Sequence, residues 1–168
     1  MTRIWSAARI VDRRCAITIA VGTDGSDTAQ KAVDFAMDMA KRYDAKLVIA
    51  SAYTPVAEDR LRKEQTDAPQ EIQWSINPAE DVDSTLRAAE EAAKERGLKY
   101  ASEARNGDPA DVICEIAADA DADVIVVGNK GMHRKILGSV PNSVSHNAPC
   151  SVIIVDTRDD AWKRRSKR

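Results

Sequence analysis

Val124-Ile125-Val126-Val127-Gly128-Asn129-Lys130-Gly131, followed after six residues by Gly138-Ser139, is the stretch that decides the fold. Four successive apolar residues leave no polar face, so they predict a strand buried on both sides. The glycines then let the backbone turn sharply and come close to a ligand, while a helix starting at Ser139 offers unpaired N–H groups and the positive end of its dipole. Ser139 at that start can cap the helix or touch a phosphate oxygen, and one site can use both roles. Taken alone, the pattern marks only a strand-to-helix crossover, because any such crossover may place glycine at its turn.

The same alternation runs outward along the chain. Residues 16–21 are apolar and β-branched and stop at Gly22-Thr23-Asp24-Gly25-Ser26, a second turn-rich cluster. Ala29, Ala32, Val33, Ala36, Ala40 and Tyr43 then recur at helical spacing, leaving Lys31, Asp34, Asp38 and Lys41 for water. Residues 47–53 read as the second strand. Periodicity is lost over residues 54–78, which hold Pro55, Pro69 and Pro78. A second helix carries the stripe Val82, Leu86, Ala89 and Ala93 and stops at Gly97. Residues 98–105 predict a third, less buried strand. Asp108-Pro109 supplies a cap and a first-turn proline to a helix with Val112, Ile113, Ile116, Ala117 and Ala120 on its apolar face. After the glycine segment come a short helix over 139–147, a break at Pro149 and a fifth strand over 151–155. Buried strands separated by helices imply an α/β fold, and right-handed crossovers make a doubly wound five-stranded parallel sheet its simplest form. In the strand order 3-2-1-4-5 the crevice between strands one and four receives the ligand. Both glycine-bearing turns converge there, which points to a nucleotide-like ligand with phosphates at the glycine segment and Asp24 near a ribose hydroxyl. Asp24 also has a purely local reading, since Asp-Gly in a turn often serves its own backbone.

The 168 residues fit one domain, with expected boundaries of 1–15 for an amino-terminal extension, 16–157 for the domain and 158–168 for a basic carboxyl-terminal tail. The net charge is −2, and only three Trp, three Tyr and one Phe are present, so stacking platforms for single-stranded nucleic acid are not indicated. Lys163, Arg164, Arg165, Lys167 and Arg168 crowd the tail, leaving 20 basic against 27 acidic residues elsewhere. Such a run reads either as a solvated tail or as an arm that binds anions. Cys15, Cys114 and Cys150 form no CxxC and no metal-ligand spacing; Cys114 and Cys150 are expected as buried small hydrophobes. With neither an apolar run of membrane-spanning length nor a signal-peptide core, a cytoplasmic protein is expected.

Several chemistries lack their signatures. GxxxxGK[ST] and GxGxxG are missing, no Ser-His-Asp arrangement has support from spacing, and no catalytic residue or metal site is indicated. His146 is expected on the polar side of the last helix. His133, Lys130, Arg134 and Lys135 lie in the glycine segment, where they either help hold phosphate or are solvated.

Over residues 16–156 the chain resembles the universal stress protein family. The resemblance rests on Val21-Gly22-Thr23-Asp24-Gly25-Ser26, on Ala122-Asp123-Val124-Ile125-Val126-Val127-Gly128, and on Gly138-Ser139-Val140 with His146-Asn147-Ala148-Pro149-Cys150. It implies a Rossmann-like fold of the adenine nucleotide alpha hydrolase-like kind and a nucleotide site built from Gly22, Thr23, Asp24, Ala52, Gly128, Asn129, Gly131, Gly138, Ser139 and Val140. By resemblance Asp24 contacts the ribose, Ala52 lies near the adenine, the glycines and Ser139 hold the phosphates, and Val140 adds a backbone contact. The ATP-binding branch spaces its second and third glycines by nine residues, whereas six separate Gly131 from Gly138. A shorter segment fits a single phosphate, as in AMP or cAMP, at least as well as ATP with Mg²⁺. The resemblance, which extends to actinobacterial members, further implies a homodimer through the last strand and a role in stress response or signalling without appreciable turnover. Slow ATP hydrolysis or autophosphorylation, and a dimeric interaction protein with a vestigial pocket, are its alternatives.

Overall fold

The computed structural model of the chain describes residues 17–53, 78–129 and 137–157. Among these residues the elements run in the order β1 (Thr18–Gly22), α1 (Asp27–Tyr43), β2 (Lys46–Tyr53), α2 (Pro78–Glu95), β3 (Lys99–Asn106), α3 (Pro109–Asp119), β4 (Val124–Gly128), α4 (Ser139–Asn147) and β5 (Ser151–Val155). Lys130, Gly131, His133, Arg134 and Lys135, the amino-terminal extension and the basic tail lie outside the described residues.

The five strands form one sheet in the order β3-β2-β1-β4-β5, and every neighbouring pair is parallel. This is the doubly wound α/β sheet that the alternation of elements predicts. Successive strand residues serve opposite faces. Ile19, Val21, Leu47, Ile49 and Val126 join Ala32, Val33, Ala36 and Met37 of α1 and Leu86, Ala89 and Ala93 of α2 in one core. Ala20, Val48, Ala50, Ile125 and Val127 join Val112, Ile113, Ile116 and Ala117 of α3 and Val144 of α4 in the other. Each large aliphatic side chain so buried stabilises the fold by roughly 1.5–3 kcal/mol.

Local signals set the element ends. Ser26 caps α1 by accepting the Ala29 N–H at 3.3 Å, and Asp27 in the first turn with Lys41 and Arg42 in the last complements the helix dipole. Asp44, in the left-handed region at φ 49°, closes α1 by donating its N–H to the Ala40 carbonyl. Gly97, at φ 69°, performs the corresponding turn after α2. Asp108 accepts the Ala110 N–H at 2.9 Å ahead of Pro109 and starts α3.

Three expectations need correction. Tyr43 is 60% exposed instead of joining the α1 stripe, because it is the last helical residue and stands beside the exposed left-handed cap. The first strand begins at Thr18, where pairing with Lys46 of β2 starts, and runs on into Gly22; Ile17 before it is exposed. Cys114 and Cys150 are half-buried, since both sit at the margin of the second core and not within it. Burial still pushes both thiols upward in pKa, with Asp111 adding to the effect at Cys114 and Asp123 at Cys150, so both stay protonated and unreactive near neutrality. The expected weaker burial of β3 is observed, and β5 shares it because both are edge strands.

Candidate functional site

The strand order reverses between β1 and β4, and their carboxyl ends open a cavity of about 230 Å³. Gly22, Thr23 and Asp24 after β1, Ala50 and Ala52 of β2, Val127 and Gly128 of β4, and Gly138, Ser139 and Val140 at the start of α4 all line it. Eight of the ten expected site residues therefore meet at one cavity. Gly131 lies outside the described residues, and Asn129 faces elsewhere.

The turn after β1 is held by backbone and hydroxyl groups. Thr23 donates its N–H to the Ala50 carbonyl at 2.9 Å, and the buried Ser51 hydroxyl donates to the Thr23 carbonyl at 2.9 Å. β2 thus clamps Thr23 from both sides of its peptide. Asp24 Oδ1 accepts the Ser26 N–H at 3.0 Å and also the Ser26 hydroxyl, so the local reading of Asp24 holds while its side chain still borders the cavity. Gly25 adopts φ 75°, and a Cβ there would lie 2.7 Å from Thr85 Oγ1 of α2. Glycine is required at this position for both conformation and space.

Two close approaches shape the floor and one wall. A Cβ on Gly22 would overlap Ile113 Cδ1, so this glycine makes room for the isoleucine that forms the apolar wall. At Gly128 a Cβ would stand 3.0 Å from the Thr28 carbonyl oxygen and 3.3 Å from Thr157 Cγ2. The end of β4 is therefore wedged between the first turn of α1 and the chain leaving β5.

Asn129 explains that wedge. It is buried, its Oδ1 accepts both the N–H (2.9 Å) and the hydroxyl (2.7 Å) of Thr157, and its Nδ2 donates to Asp156 Oδ1 at 3.2 Å. Its side chain ties two strand ends together. Ser139 is likewise placed differently from one of its expected roles: Gly138 is the N-cap of α4, without a side-chain cap, and Ser139 is the first helical residue. The hydroxyl at the cavity rim is thus not used in capping, and the first turn of α4 has no side-chain oxygen closing it.

The expected site did not include Ser26, Thr28, Ala29, Ala50, Pro109, Ile113, Val127 and Pro141, which also line the cavity. Ile113 was legible as part of a buried helical stripe, but periodicity cannot show that the tip of a core side chain also makes a cavity wall. Thr28 could have been found from its place in the first turn of a helix that starts at the cavity. Among the described residues no group of three or more His, Cys, Asp or Glu could hold a metal ion, and no helix is long and apolar enough to cross a membrane.

The sequence model of the universal stress protein family matches residues 18–156. Universal stress protein Rv1636 of Mycobacterium tuberculosis is 39% identical over 144 residues, spanning 83% of this chain and 96% of its own length. Among solved structures, a universal stress protein in complex with cAMP is 34% identical, with a TM-score of 0.64 and coverage of 84% of this chain and 98% of that one. The universal stress protein UspA from Lactobacillus plantarum is 27% identical, with a TM-score of 0.65 and coverage of 83% and 97%. The sheet order, the glycine-bearing turns and these similarities agree: the chain belongs to the universal stress protein family.

Proposed function

We propose that this protein binds an adenine nucleotide in the crevice between β1 and β4 and acts in stress response or signalling through nucleotide-dependent interaction. The observation that carries the reading is the convergence of two glycine-bearing strand ends and the open first turn of α4 on one cavity. The cAMP complex of a protein 34% identical to this chain supports it. In this reading Asp24 and Thr23 hold the ribose side, Ala52 with Ile113 faces the base, and Gly128, Gly138, Ser139 and the Val140 backbone receive phosphate oxygens. The shortened glycine segment favours one phosphate, so cAMP or AMP precedes ATP. Asp24 is the one carboxylate among the described lining residues, so a Mg²⁺ ion entering with ATP would be held chiefly by the phosphate oxygens. The reading is one of binding in the cytoplasm, not of turnover.

Calorimetric titration of nucleotide-stripped protein with cAMP, AMP and ATP, beside a Gly128→Val variant, tests it. Saturable binding that the variant loses is the expected result. Absence of heat with every ligand, or release of ADP at a steady rate, overturns it.

A homodimer through β5 belongs to the same proposal. The two sheet edges differ in a way that supports it: β3 presents Lys99, Glu103 and Arg105, with Arg105 bound to Glu103 and Asp119 at 2.7 Å, whereas β5 is Ser-Val-Ile-Ile-Val with Ile154 37% exposed. Charge guards the first edge; nothing among the described residues guards the second. Ile154→Lys is expected to shift the protein from dimer to monomer in light scattering while leaving its melting curve cooperative. A parent chain that already scatters as a monomer would refute the dimer.

A further inference from the structure

We infer that Asn129 is a positioning residue for the phosphate side of the crevice: from behind the cavity wall it fixes Gly128 in place, and the affinity that a phosphate adds to a bound nucleoside depends on that hold. The inference rests on the adenine-nucleotide reading above. Asn129 follows Gly128 directly, yet of the two only Gly128 lines the cavity. Asn129 is 3% exposed, and its side chain is engaged with the chain leaving β5. Its Oδ1 accepts both the N–H and the hydroxyl of Thr157, and its Nδ2 donates to Asp156 Oδ1. A backbone N–H can only donate, so the amide oxygen must face Thr157 and the side chain has one orientation. The Asn129 N–H donates to the Val155 carbonyl at 3.1 Å, which also fixes the plane of the peptide joining it to Gly128.

Gly128 stands in a slot with two jaws. A Cβ there would lie 3.0 Å from the Thr28 carbonyl oxygen and 3.3 Å from Thr157 Cγ2, so the strand end is closely packed on both sides. Thr28 itself lines the cavity, and Lys31, one turn further along α1, donates its Nζ to the Thr157 carbonyl at 3.0 Å. Both jaws are therefore tied to the start of α1, and Asn129 ties Gly128 to the outer one. In the proposed pose the base faces Ala52 and Ile113, away from this clamp. Apolar contact is non-directional and tolerates a small shift, whereas hydrogen bonds to a phosphate weaken steeply as distance and angle depart from their optimum. Loosening the clamp thus selects against the phosphate and spares the nucleoside.

The test titrates adenosine and AMP into the full-length parent, Asn129→Ala, Thr157→Val and Asp123→Ala, with urea unfolding of each. Thr157→Val keeps a methyl group behind Gly128 and removes only the hydroxyl, so it reports on the clamp even where Asn129→Ala fails to fold. Asp123→Ala deletes a hydrogen bond at the opposite end of the sheet and controls for lost stability. Asn129→Ala is expected to weaken AMP about ten-fold and Thr157→Val about three-fold, with adenosine changed less than about two-fold in both and neither ligand affected in Asp123→Ala. Equal losses of AMP and adenosine would make Asn129 merely structural, and unchanged AMP affinity in the folded variants would make the clamp irrelevant to the site; either result overturns the inference alone. A parent that binds adenosine and AMP equally overturns it as well, because the phosphate then gains nothing at Gly128. A parent that binds neither ligand overturns the adenine-nucleotide reading and the inference with it.

Discussion

At the amino end of the sheet the strand starts are tied down by charged side chains: Asp123 accepts the Thr18 N–H at 2.8 Å, and Lys99 pairs with Asp44 at 3.1 Å. At the carboxyl end β1 and β4 finish in glycines, and the strand ends are tied down by backbone, hydroxyl and amide groups, through Thr23 to Ala50, Ser51 to Thr23 and Asn129 to Thr157. β1 and β4 are buried along their lengths, so the difference lies in the turns at their two ends. Exposed charged side chains flank the strand starts at one end, whereas close approaches to the backbone at Gly22 and Gly128 border the cavity at the other. Both ends are held by hydrogen bonds, but only the carboxyl end encloses the cavity described above.

The largest effect expected from breaking this division is at Gly128. Valine there places a branched side chain against the Thr28 carbonyl and the Thr157 methyl, both already at 3.0–3.3 Å from a single Cβ. Overpacking of this kind costs about 1–3 kcal/mol of stability, and the displaced strand end should lower nucleotide affinity by about 100-fold or more. Titration and urea denaturation of the same variant separate the two losses. Retained affinity would mean that the carboxyl end tolerates side chains and that the contrast between the ends is incidental.

Much of this contrast is legible in sequence, and the exceptions have physical reasons. The strands of a sheet covered on both faces read as continuous apolar runs, so Val124 to Val127 needs no structural help, and two glycine clusters at the ends of β1 and β4 mark the crevice once handedness sets the strand order. Asn129 misleads because its residue type, one position past a glycine, suits a ligand contact equally well. Its partner Thr157 is 28 positions away, and the only clue is that β4 and β5 end in register at Gly128 and Val155. Ser139 misleads similarly: serine before a helix is the favoured cap, but the chain enters α4 one residue earlier, at Gly138, and only its backbone angles show this. Cys114 and Cys150 lie on faces that periodicity marks as buried, yet periodicity does not show where the core's margin falls.

A smaller pair of effects sharpens the comparison by placing one hydrogen-bond deletion at each end. Ser51→Ala removes the hydroxyl that holds the Thr23 carbonyl in a fully buried setting, while Asp123→Ala removes the acceptor of the Thr18 N–H. Each should cost about 1–2 kcal/mol in denaturant unfolding. Only Ser51→Ala should also weaken nucleotide binding, by several-fold, because Thr23 and Asp24 border the cavity. Equal affinities for the two variants would show that the turn after β1 keeps its shape without β2's help.

Asp44→Gly is the finest probe, because it alters the charged end and predicts a gain. Asp44 sits at φ 49° and ψ 41°, a left-handed conformation that costs a residue with a Cβ about 1 kcal/mol and glycine almost nothing. The substitution also removes the pair with Lys99, but the two side chains are 88% and 66% exposed, and such pairs contribute a few tenths of a kcal/mol. Glycine adds freedom to the unfolded chain, which returns part of the gain. The balance is a net stabilisation of about 0.5 kcal/mol, read as a higher urea midpoint at unchanged slope, with nucleotide affinity untouched. A lower midpoint would mean that the Asp44–Lys99 pair does more for the amino end than the relief of its helix cap can offset, and so that charge, more than backbone geometry, secures that end of the sheet.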